Sequence, residues 1–220
     1  MNYTGRMCVL GVLFLWACIL MWVLFAGPCH AGTFGYSSVG AFTSTIDQLA
    51  DTTKDKMEGP RFTCPVTCTV DSITWYIDFA IAAHTSPSFN LRTGIYKWYG
   101  GTTAKVFLDS TNTLSFTILS AADGWYGFVP SKTDTLYADS LYVFPLRGQV
   151  TGTPGLTNLN IKWASSTGDT VASQLPFAYT SAWPAPWNPT TYTGNFTASV
   201  YITYTEISAG RNLGQVIPIK

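Results

Sequence analysis

Charge is what this chain has least of. Only 11% of its 220 residues are Asp, Glu, Lys or Arg, against about 25% in ordinary soluble domains. Twelve basic side chains balance twelve acidic ones. No basic field is therefore available to displace counterions from a phosphate backbone, and nucleic acid is not expected as a partner. Histidine is nearly missing, with His30 and His84 alone. A Ser-His-Asp or Cys-His arrangement needs such a base, and His84 sits in Ala82-Ala83-His84-Thr85-Ser86-Pro87, which reads as ordinary loop. Glutamate is limited to Glu58 and Glu206, neither in a motif that suits the carboxylate pair of glycoside hydrolysis. Phosphate loops and dinucleotide fingerprints are absent. A non-catalytic protein is expected.

What is present begins with an apolar run. Behind Arg6, residues Met7 to Gly27 carry no charge, and Pro28-Cys29-His30-Ala31-Gly32 follow. This is the charged, apolar, small-residue order of a secretory signal peptide, with Cys29 and Ala31 at the −3 and −1 positions of a cut. The run is also close to the roughly 20 residues that span a bilayer, so an uncleaved anchor is the alternative. Pro28 directly before Cys29 disfavours a lipoprotein signal. Both readings put the chain after Gly32 outside, because Arg6 is retained inside. Residues 1–31 are thus a signal segment, and membrane contact is expected only there. The protein is read as secreted or held at the cell surface.

The 189 residues after Ala31 keep two of five cysteines, Cys64 and Cys68. An exported pair favours a disulfide. On a straight strand they would lie roughly 13 Å apart, beyond the roughly 4.4 to 6.8 Å Cα separation a disulfide needs, so Pro65 must turn the chain between them. Zinc is the weaker reading, since two thiols lack further ligands.

Several stretches alternate with a period of two. In Cys68 to Ala82, Ile73, Trp75, Ile77, Phe79 and Ile81 share one face, the pattern of a half-buried strand with Trp75 in the core. Asn195 to Tyr204 alternates likewise, and shorter runs lie at Leu91 to Trp98, Thr113 to Leu119, Trp125 to Val129, Leu141 to Leu146 and Leu159 to Trp163. Turn clusters such as Tyr99-Gly100-Gly101 and Ala122-Asp123-Gly124 separate them. The one helical candidate, Ser44 to Met57, lacks an apolar stripe. The expected fold is all-β, a two-sheet antiparallel sandwich with jelly-roll character, occupying residues 32–206. Residues 207–220 form a tail that either pairs with a neighbour's sheet edge or stays disordered.

The opening Thr33-Phe34-Gly35-Tyr36, the strand Val70-Asp71-Ser72-Ile73-Thr74-Trp75, Leu91-Arg92-Thr93-Gly94-Ile95-Tyr96, Gly124-Trp125-Tyr126, Leu136-Tyr137-Ala138-Asp139 and the closing Ser199-Val200-Tyr201-Ile202 carry a resemblance. They are similar to a loose group of secreted prokaryotic β-sandwich domains of jelly-roll character, in outline like carbohydrate-binding modules. The resemblance runs from Thr33 to Glu206 and implies a fold more than an activity. The chain departs from it at Cys64/Cys68 and in the Trp/Pro-rich loop Ala182 to Asn188.

Aromatic residues are the remaining signal. Trp183 and Trp187, with Tyr192 closing the same segment, stand among prolines, and Trp98-Tyr99 stands beside Gly100-Gly101. Rings held on stiff loops can stack on sugars or anchor a protein partner; the alternative is that they cap the end of the sandwich. Calcium held by loop aspartates such as Asp109, Asp123 or Asp134 has no motif behind it. Asn195-Phe196-Thr197 is a glycosylation sequon. The outward residues include 11 basic and 12 acidic side chains in 189, so copies repel one another little. The expected function is a self-associating structural or adhesive subunit of the cell surface or a filament, with carbohydrate binding through loop aromatics as the alternative.

Overall fold

A computed structural model describes residues 30–48, 56–81, 87–100, 106–117, 122–151, 158–174, 179 and 182–207. The apolar run up to residue 29, His84 and the tail from 208 lie outside the described residues. Among those described, the protein is all-β, antiparallel and without helix.

Fourteen strands follow one another along the chain: β1 (Ala31–Gly35), β2 (Phe42–Gln48), β3 (Met57–Thr63), β4 (Cys68–Ala80), β5 (Ser88–Trp98), β6 (Val106–Ser110), β7 (Leu114–Thr117), β8 (Gly124–Phe128), β9 (Thr135–Leu136), β10 (Leu141–Val143), β11 (Leu146–Thr151), β12 (Asn158–Gln174), β13 (Thr191–Ala198) and β14 (Val200–Glu206). The order of hydrogen-bonded neighbours is β1-β14-β4-β12-β3-β10-β5-β11, with β2 and β13 on β12, β6 and β7 on β5, and β8 and β9 on β4.

Alternation works in β4 as the sequence predicts. Ile73, Trp75 and Ile77 are fully buried with Phe79 beside them, in one core with Leu91, Phe128, Leu159, Val200 and Ile202. On the opposite side of the same strands, Trp125 meets Tyr76 edge-on at 5.4 Å and Tyr201 at 5.4 Å. Such cross-strand ring pairs stabilise a sheet by about 0.2–1 kcal/mol each.

Two expectations are revised. The helical candidate Ser44 to Met57 contributes instead to strands: Ser44 lies in β2 and Met57 opens β3. The alternating run Asn195 to Tyr204 is interrupted at Ser199, where the chain changes partner. Before it, β13 pairs with β12, Ala198 opposite Trp163; after it, β14 pairs with β4, Val200 opposite Trp75. The Ser199 amide reaches the Lys162 carbonyl and its carbonyl accepts from the Tyr76 amide, each at 2.8 Å, so the switch leaves neither backbone group unmet.

β10 and β11 behave as one strand with a break. Leu141 faces Thr63 and Arg147 faces Met57 on the β3 side, and Leu141 faces Trp98 and Thr151 faces Ser88 on the β5 side, so the register continues through the break. Pro145 has no amide to donate. Its carbonyl accepts from the Gly94 amide and the Thr93 hydroxyl, both at 2.9 Å. Opposite it, Gly59 lets the Phe144 carbonyl and Pro145 come where any Cβ would collide with backbone.

Candidate functional site

The loop that the sequence singles out folds onto β5. Trp187 is 0% exposed and Trp98 is 4% exposed, both in a second core with Met57, Tyr96 and Val143. Tyr96 meets Trp187 at 5.2 Å and Phe107 at 5.3 Å, and its hydroxyl donates to the Pro184 carbonyl at 3.0 Å. Burial pushes the Tyr96 phenol above its ordinary range. Trp183 is half-buried and stacks on Phe107 with an interplanar angle of 16°. The guanidinium of the fully buried Arg147 lies 4.3 Å from the Trp183 ring centre, a cation–π contact in which the ring face takes the charge. Gly94 makes room for this, because a Cβ there would come within 2.9 Å of the Trp183 ring. Trp98 and Trp187 are thus buried and present no open face.

Tyr99 is the exception among these rings at 63% exposed. Lys97 sits between it and the equally outward Tyr137, 5.4 Å and 5.3 Å from their centres. Tyr192 is paired along β13 with Ala172, and its side chain lies outside what the structure describes.

Cys64 and Cys68 are brought together as the sequence requires of a turn. Residues 65–67 bend between β3 and β4, and the two sulfurs stand 3.5 Å apart as free thiols, both buried. Cys64 Sγ also donates to the Val66 carbonyl at 3.0 Å. Burial, then the neighbouring Cys64, pushes the Cys68 thiol up to about 12.

The aspartates divide. Asp123 accepts from the Phe79 amide at 2.8 Å on the β4 edge. Asp109 is buried and takes the Lys132 amide at 2.7 Å, and the nearby Asp134 carboxyl is pushed up by burial first and by the Asp109 charge second. Among the described residues no three His, Cys, Asp or Glu side chains converge.

One arrangement escapes the sequence reading. Lys56 and Glu58 are two apart along the start of β3, hence on one face, and their side chains meet at 2.6 Å. Ser44 of β2 donates to Glu58 Oε2 at 3.1 Å and accepts from Lys56 Nζ at 3.0 Å. The carboxyl is almost fully buried, and that burial raises its pKa even though Lys56 and Ser44 pull the other way. These three line a cleft of about 290 Å³ together with Thr43 and the rings of Phe42, Trp163 and Phe196. The signal available in the sequence was the Lys-x-Glu spacing; the aromatic wall comes from three strands distant along the chain.

Neither a family model nor a curated protein matches this chain.

Proposed function

We propose that this is an exported, non-catalytic structural or adhesive protein, whose β-domain is a two-sheet sandwich of jelly-roll character that associates with copies of itself at the cell surface or in a filament. The observation that carries the reading is β1. It ends the order of strands, pairs only with β14 among the described residues, and contains neither charge nor proline in Ala31-Gly32-Thr33-Phe34-Gly35. Edge strands that must stay single are ordinarily guarded by lysine, proline or bulges. An unguarded edge on a chain with so little charge favours pairing with another copy.

The sandwich reading draws support from rings of separate strands. Phe34 of β1 meets Phe62 of β3 at 6.2 Å and Phe144 at 6.0 Å, although β1 and β3 are not hydrogen-bonded neighbours. Tyr99, Tyr137 and Val106 supply exposed apolar surface at the β5 end. Export follows from the apolar segment ahead of β1. Electron microscopy of the purified full-length protein tests the proposal: ordered assemblies are expected, and separate single particles at high concentration with the tail intact overturn it.

A further inference from the structure

We infer that the cleft between β2, β3, β12 and β13 binds one ring of a neutral saccharide, with the half-exposed Phe42 ring under its C–H face and Ser44, Lys56 and Glu58 on its hydroxyls.

The two walls differ in chemistry. Phe42 is 50% exposed and stands edge-on to Phe196 at 5.6 Å and 89°, and Phe196 in turn meets Trp163 at 6.4 Å. Phe42 is thus an exposed ring braced edge-on by the half-buried Phe196, which packs in turn on Trp163 of the main core. The facing wall offers an ammonium donor, a carboxylate acceptor and a hydroxyl that does both.

Charge narrows the ligand. Lys56 and Glu58 neutralise each other at 2.6 Å, so the cleft has no net charge to attract an anion or a cation. It does have donors and acceptors side by side, which suits vicinal hydroxyl groups. The volume of about 290 Å³ is at the small end of ligand sites, roughly 300–1,000 Å³, and fits a single ring. Glu58 is the one carboxylate among the described residues that line the cleft, so binding rather than hydrolysis by a carboxylate pair is assigned.

This inference does not rest on self-association, since a monomer and an assembly would present the same cleft. Saturation-transfer NMR tests it on the full-length protein, expressed with its own N-terminal segment. The probes are methyl pyranosides of glucose, galactose and mannose, with sorbitol as an acyclic control. At least one pyranoside is expected to receive saturation on its ring C–H protons while sorbitol does not. Phe42→Ala, at a half-exposed position, should reduce the transfer at least fivefold and Phe42→Trp should restore it. Glu58→Gln, which keeps the side-chain shape, should weaken it several-fold with an unchanged circular dichroism spectrum. No transfer to any pyranoside, equal transfer to sorbitol, or an unaltered signal in Phe42→Ala overturns the inference. Sedimentation in the same buffer reads association separately, so failure of one reading is distinguishable from failure of the other.

Discussion

The sulfurs of Cys64 and Cys68 stand 3.5 Å apart inside the main core, held there by a bend that ends β3 and begins β4. In an oxidising compartment this pair is expected to close into a disulfide. The loop is short, so the loop-entropy relation gives about 2 kcal/mol of stabilisation. Maleimide labelling of the exported, denatured protein checks it: no label at these positions before reduction and two after. Two labels without reductant contradict it.

Glu58 makes stability depend on pH in a defined direction. Burial raises its folded pKa above the ordinary value of 4.5, so the folded state holds this proton at pH values where the unfolded chain has lost it. Stability contributed by the protonated carboxyl is present in acid and declines as pH rises from about 4.5 through the raised folded value. Urea unfolding across that window should show the decline in the native protein and its loss in Glu58→Gln. Identical pH profiles for the two would be the adverse result.

Gly94 carries the Trp183 ring, and an added methyl has no room. Gly94→Ala is expected to cost about 1–3 kcal/mol, the usual range for overpacking, because Phe107 and Arg147 hold the ring on its other sides. A changed tryptophan emission together with a lower unfolding midpoint is the expected readout. An emission spectrum and midpoint like those of the native protein would mean that the ring is not held there.

Trp75 is fully buried at the centre of β4. Trp75→Ala should cost about 3–5 kcal/mol, whereas Tyr99→Ala, at an exposed ring, should stay within about 0.5 kcal/mol. Chemical denaturation of the two variants compares them directly, and similar losses would contradict the burial pattern.

How far the sequence reaches can be argued from these residues. Ile73, Trp75, Ile77 and Phe79 alternate because their face of β4 is buried from Ile73 to Phe79, and that period is local. The partner change at Ser199 leaves no mark in the sequence, where apolar and polar residues go on alternating, while in the fold the hydrogen bonds pass from β12 to β4 and Thr197 and Ser199 become as buried as Ala198 and Val200. Prolines around Trp183 and Trp187 suggest stiff loops. They do not reveal Tyr96 and Gly94, the distant surface that receives the rings. The cleft was invisible for the same reason: Phe42, Glu58, Trp163 and Phe196 meet only through long-range pairing.

Self-association of the exported protein is the central claim, and sedimentation velocity over a dilution series, repeated at high salt, tests it most directly. The account predicts multi-subunit species that grow with concentration and persist in salt, because an uncharged edge strand and apolar rings form the contact rather than ion pairs. A single species of monomer mass at every concentration, with residues 208–220 intact, would contradict it.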